Sequence, residues 1–97
     1  MEIKWSKAAV NSIIQIIDFL NENDFEDYAE RLKSDILVII NNLPKSYDLC
    51  RPDKYKINND GSFRALEYEK YRISFRIKAD EIRILRIRHT KRRPRSY

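Results

Sequence analysis

Apolar residues recur along this chain with two different periods, and the change of period divides it in half. Residues 2–5 alternate, which predicts a short strand. Ala9, Val10, Ile13, Ile16, Ile17 and Leu20 then fall at steps of three and four, the spacing of an amphipathic helix, with Ser6 placed to cap it. Asn21-Glu22-Asn23-Asp24 interrupts that pattern, and Asp24 reads as the cap of a second helix. The apolar face of this helix runs Phe25, Tyr28, Ala29, Leu32, Ile36, Ile39, Ile40 and Leu43, and Pro44 terminates it. Two helices of about 17 residues with so short a connection must lie as an antiparallel hairpin.

Residues 44–61 carry no clear period, and Asn59-Asp60-Gly61 signals a turn. Three strands follow, over about 62–68, 71–77 and 81–89. The middle one alternates cleanly: Tyr71, Ile73, Phe75 and Ile77 face one way, and Arg72, Ser74 and Arg76 the other. Only Glu69-Lys70 and Lys78-Ala79-Asp80 separate the three, so both connections are hairpins and the pairing is antiparallel. The last strand breaks alternation, because Ile82 and Ile84 share a face while Leu85 and Ile87 fall on the other. Either both faces are partly covered, or a bulge near residues 84–86 shifts the register; the bulge is the preferred reading. These elements predict an α+β domain. An N-terminal strand and an antiparallel helical hairpin pack on a twisted, mainly antiparallel sheet completed by three C-terminal strands.

With 97 residues, no repeat and no linker, the chain is read as one domain over residues 1–97 with a basic tail from about residue 90. The single cysteine, Cys50, cannot form an internal disulfide. The start Met1-Glu2-Ile3-Lys4-Trp5 lacks the pattern of a signal peptide, and no apolar run is long enough to span a membrane. The expectation is a cytoplasmic protein without a membrane partner.

Charge adds more. Residues 1–50 carry nine acidic against five basic side chains, a balance of −4, and residues 51–97 carry fifteen basic against six acidic, a balance of +9. A half this basic attracts polyanions or an acidic partner. The plainer alternative is a solvated basic surface.

The order of elements, together with particular residues, resembles the RelE/ParE toxins. The similarity is carried by the strand opening into Trp5-Ser6-Lys7-Ala8-Ala9 and by the hairpin closed by Leu43-Pro44. It continues in Gly61-Ser62-Phe63-Arg64, in Tyr71-Arg72-Ile73-Ser74-Phe75-Arg76-Ile77, and in the ending Ile82-Arg83-Ile84-Leu85-Arg86-Ile87-Arg88-His89. No single piece is distinctive; the series in this order is. The resemblance implies the toxin of a type II toxin–antitoxin system, neutralised by a cognate antitoxin, which the basic half predicts to be acidic. The apolar faces of the helical hairpin and sheet are expected to leave a groove for it. Two mechanisms occur on this fold. RelE-like members enter the ribosome and cleave mRNA, whereas ParE-like members inhibit DNA gyrase and have no known ribonuclease chemistry. A member retaining only antitoxin binding is a third possibility.

RNA cleavage by 2′-OH attack needs a base near the 2′ oxygen, cations around the phosphate and an acid for the leaving oxygen. The catalytic candidates are Arg64, Arg72 and His89; the RNA-binding candidates are Lys54, Lys56, Arg88, Arg92 and Tyr97. Arg64 and Arg72 lie on neighbouring strands and match positions where the family keeps arginine. If their polar face is the concave one, they hold a phosphate between them. Alternatively, each solvates its strand or pairs with Glu67 or Glu69. His89, the only histidine, suits proton transfer near neutrality, or it simply closes its strand. Lys54 and Lys56 resemble the basic loop of the ribonucleases, with Tyr55 available to stack, although solvent-exposed lysines are the ordinary case. Tyr97 can stack on a base, or belong to a mobile tail that folds only on a partner. Arg92-Arg93-Pro94-Arg95 reads as a non-specific phosphate contact. One His and one Cys make no ordinary zinc site, and one Gly excludes a glycine-rich phosphate loop, so no metal or other cofactor is expected. Charge placement leans this reading towards a metal-independent ribonuclease with ribosome and mRNA as partners. Gyrase inhibition is the rival.

Overall fold

The computed structural model describes residues 1–92 and 95–97. It begins with strand β1 (Glu2–Trp5) and two 16-residue helices, α1 (Lys7–Glu22) and α2 (Glu26–Asn41). A short helix α3 (Leu43–Ser46), a 3-10 turn (Tyr47–Leu49) and a two-residue strand β2 (Arg51–Pro52) connect them to β3 (Phe63–Tyr68), β4 (Tyr71–Lys78) and β5 (Glu81–His89). The five strands form one sheet in the order β1-β5-β4-β3-β2. β1 runs parallel to β5, and every other pair is antiparallel.

The helical hairpin covers one face of this sheet. Leu32, Ile36, Ile40 and Leu43 from the second helix and its continuation are buried with Ile73 and Phe75 of β4 and Ile82, Ile84 and Ile87 of β5. Ser6 starts α1 as expected. Its Oγ accepts from the Ala9 N–H at 3.0 Å and donates to the Leu85 carbonyl at 2.8 Å, so one hydroxyl both caps the helix and joins it to β5.

Asp24 does not cap α2. The residue ahead of that helix is Phe25, with no side-chain capping bond. Asp24 instead closes α1, in the left-handed region at φ 64°. Its N–H reaches the Asn21 carbonyl and the Phe25 N–H reaches that of Leu20, the paired bonds of a left-handed helix stop. Pro44 is likewise displaced. The second helix ends three residues earlier, at Asn41, and Pro44 sits in the first turn of α3, where its missing N–H costs nothing.

The bulge falls where the broken alternation places it. Ser74 pairs with Arg86 and Phe75 with Ile84, which leaves Leu85 as the extra residue. That shift keeps Ile82 and Ile84 before it, and Ile87 after it, on the same buried face. No described helix is long and apolar enough to cross a membrane.

Candidate functional site

Side chains opposite each other in an antiparallel pair project to the same face of the sheet. Arg72 stands opposite Glu67 and Arg88, on the face turned away from the helices together with Ser74, Arg76 and Arg86. Arg64 stands opposite the buried Phe75, and so points to the helix side. Its Nη1 donates to the Tyr47 and Cys50 carbonyls at 3.1 and 3.5 Å, and its Nε to that of Gly61. It fastens the connecting segment to the sheet. The phosphate clamp between Arg64 and Arg72 is therefore not formed, because the two guanidinium groups leave opposite faces. His89 stands opposite Tyr71, also on the helix side, with the two rings edge to face at 5.2 Å. Its Nδ1 accepts from the Lys91 N–H, and burial together with Lys91, Lys70 and Arg92 holds its pKa below the ordinary histidine value. The three catalytic candidates do not converge on one point.

On the outer face the remaining candidates do gather, around a residue that the sequence reading passed over. Asp53 follows β2, and its side chain is fully buried. Its Oδ1 accepts from Arg72 Nη2 at 2.9 Å and from the Tyr55 N–H at 3.1 Å, while its Oδ2 accepts from the Tyr97 hydroxyl at 2.6 Å. Burial alone would raise this carboxyl's pKa, but the bonds from Tyr97, Arg72 and Tyr55 outweigh it and hold the group below the ordinary aspartate range. The same arrangement drives the Tyr97 phenol well above its usual value, through burial first and the bond to Asp53 next.

Tyr97 is thus docked, not loose. Its N–H donates to the Tyr55 carbonyl at 2.9 Å, its main-chain oxygen accepts from the Ile57 N–H, and its ring meets Phe63 edge-on at 6.1 Å. Arg86 lies over that ring at 4.2 Å, and Lys56 Nζ stands 5.4 Å from it and 4.7 Å from the Phe63 ring. Lys54 remains at the rim over Tyr55. Of the basic run in the tail, Arg93 and Pro94 lie outside the described residues.

Between these groups runs a narrow cleft of about 40 Å3, lined by Arg72, Arg86, Arg88, Arg92 and Arg95 with Glu67 as its one carboxylate. The Nε groups of Arg72 and Arg86 are buried there without a partner among the described residues. Burial and the neighbouring Arg86, Arg95 and Arg92 pull the Arg88 pKa down. Such a cleft can grip an oxyanion. Proton transfer is less well served, since Asp53 is held ionised, Tyr97 donates to it, and His89, which borders the cleft at the end of β5, turns its ring against Tyr71 on the helix side.

On the helix side, beside the end of β5, is a larger groove of about 930 Å3. Ile16, Phe19, Leu20, Phe25, Tyr28, Tyr71 and Ile87 supply its apolar wall; Lys70, Arg86, Arg88 and Arg92 supply its charge, and no carboxylate lines it. Phe19 is 63% exposed and Phe25 54%. Large apolar side chains left open in one concavity mark a surface that a partner covers.

A family model described as the ParE toxin of the type II toxin–antitoxin system parDE matches residues 3–94. Among solved structures, one described as the chromosomal ParDE TA system from P. aeruginosa has a TM-score of 0.76 and is 25% identical. That match covers 94% of this chain and 97% of the other. No curated protein matches the chain.

Proposed function

The chain belongs to the ParE toxin family of type II toxin–antitoxin systems, and on that premise we propose that it arrests growth by binding DNA gyrase, without ribonuclease chemistry. The observation that carries the second clause is the separation of Arg64, Arg72 and His89 between opposite faces of the sheet. In-line cleavage of RNA needs base, cation and acid within hydrogen-bond reach of one phosphodiester, and on the outer face Arg72 is already engaged with Asp53 and Glu67. This departs from the lean that charge placement gave. Six of the eight candidates do lie on or around the outer face, Lys54, Lys56, Arg72, Arg88, Arg92 and Tyr97, and His89 borders its cleft. Their convergence favours the ribosome-dependent reading as the second choice.

The family carries an antitoxin as partner. We assign it to the groove beside β5, whose apolar wall and cationic rim call for an amphipathic, acidic segment. Occupation of that groove also neutralises Arg86, Arg88 and Arg92, which border the outer cleft.

The test is brief induction in growing cells, with primer extension on several translated mRNAs and a DNA-damage reporter. Whole transcripts with the damage response switched on are expected. In-frame cuts within codons, lost in Arg72→Ala, would replace this reading by the ribonuclease.

A further inference from the structure

Two donors of the outer cleft are buried and unmet. Arg72 and Ser74 share one face of β4, opposite Arg88 and Arg86 of β5, so Arg72 and Arg86 are diagonal neighbours across the two strands. Each guanidinium plane is already fixed by its surroundings. Arg72 lies over the Tyr55 ring at 4.9 Å and is held by Asp53 and Glu67. Arg86 lies over the Tyr97 ring at 4.2 Å and donates from Nη2 to the Arg95 carbonyl at 3.1 Å. The Tyr97 hydroxyl ends on the same Asp53, so one carboxylate anchors both arginines, Arg72 directly and Arg86 through a ring. These bonds use Nη atoms. They leave the Nε of both residues buried without a partner among the described residues. An unmet charged donor costs free energy that an acceptor in the cleft offsets. The cleft, of about 40 Å3, has room for roughly three water-sized atoms. Five arginines line it against the single carboxylate of Glu67.

We propose that this cleft binds a phosphate monoester, whose three terminal oxygens enter it while the ester oxygen leads out to solvent. The Nε–H groups of Arg72 and Arg86 donate to the phosphate from two strands, and Arg88 adds charge beside them. The crowding that lowers the Arg88 pKa, by Arg86, Arg95 and Arg92 together with burial, is relieved by a ligand carrying nearly two negative charges. Size and charge select this class. A carboxylate brings two oxygens in one plane and a single charge. A backbone diester also brings two terminal oxygens and one charge, with two substituents that a cleft this small cannot bury. No group is placed to attack or protonate the phosphorus, since Asp53 and Tyr97 are bonded to each other and the His89 ring turns to the helix side. The phosphate is held, not cleaved. The inference does not depend on which target the toxin arrests.

The test follows the arginine Nε–H signals of the isotope-labelled whole chain by NMR, at neutral pH and constant ionic strength. The titrants are inorganic phosphate, a thymidine dinucleotide with a 5′-phosphate, and the same dinucleotide without it. Saturable movement of the Arg72 and Arg86 signals is expected with the first two. The dinucleotide that offers only a diester is expected to bind at least about tenfold more weakly than its phosphorylated form. Tighter binding of the phosphorylated dinucleotide than of inorganic phosphate assigns the site to a nucleotide end, and the reverse order to free phosphate. Arg86→Lys keeps the charge but removes the Nε donor, and is expected to weaken phosphate binding at least about tenfold. Arg83→Gln removes an exposed cation of the same strand outside the cleft and is expected to leave binding unchanged. Signals that drift without saturating, equal binding by the two dinucleotides, or an equal loss in both variants would each overturn the inference. The dinucleotides are compared on the unaltered chain, so that arm decides even if Arg86→Lys does not fold.

Discussion

Asp53 decides the character of the outer face. Its buried carboxylate holds Arg72 at 2.9 Å and Tyr97 at 2.6 Å, and so organises two residues that composition alone presents as free to act. Replacing it by Ala leaves Arg72 with Glu67 as its only ion-pair partner and frees the Tyr97 hydroxyl. Asp53→Ala is expected to lower the unfolding free energy by about 3 kcal/mol in urea. Tyr97→Phe, which removes one bond to a charged acceptor, should cost about 1.5 kcal/mol. Because folding lowers the Asp53 pKa below its ordinary 3.8, this stabilisation is fully present above that value. It is lost as pH falls below that value and through the folded one, a slope that urea titrations carried down through this acid range should detect and Asp53→Asn should remove. His89 is shifted the same way, by burial and by Lys91, Lys70 and Arg92. Its NMR titration is expected below the ordinary 6.5, and to move up when an acidic segment enters the groove. Asp53 was hard to single out in the sequence, where it is one acid in a loop without period. The face of Arg64, by contrast, is legible in the sequence. A two-residue turn at Glu69-Lys70 pairs residue 67 with 72, and hence 64 with 75, which assigns Arg64 to the face of Phe75.

Among the elements, the helical hairpin and the three C-terminal strands are legible from periodicity because each buries one face and leaves the other in water. The boundaries that moved, at Asp24 and Pro44, are those set by main-chain bonding, to which the apolar pattern is blind. β2 has no sequence signature because two residues are too short for any period; the pairing of Arg51 and Pro52 with Ala65 and Arg64, and the bond from the Asp53 N–H to the Phe63 carbonyl, define it. The bulge at Leu85 could be read because Ile84 and Ile87 must share a face although they stand three positions apart. Ser6 joins three elements at once, and Ser6→Ala is expected to cost about 1–2 kcal/mol. The loss should be accompanied by faster amide exchange at Ala9, while exchange in β3 is unchanged; uniform acceleration across the sheet would contradict that local role.

At the scale of the whole molecule, the charge asymmetry between the two halves becomes an asymmetry of surfaces. The basic half supplies β3, β4 and β5, so cations line both the outer cleft and the rim of the groove, and the two sites share Arg86, Arg88, His89 and Arg92. A ligand in the groove therefore touches residues that also line the cleft, so the proposed antitoxin site and the outer face are physically linked. The family, and the fold with it, could be recognised from the order of short motifs. The mechanism could not, since the motifs that carry the resemblance belong to a fold on which both mechanisms occur. The most direct test is a supercoiling assay with purified DNA gyrase, relaxed plasmid and this chain, run beside translating ribosomes programmed with a defined mRNA. Blocked supercoiling or accumulated cleaved plasmid, with the mRNA whole, is the predicted result; unaffected gyrase with mRNA cut in the ribosome would contradict the account.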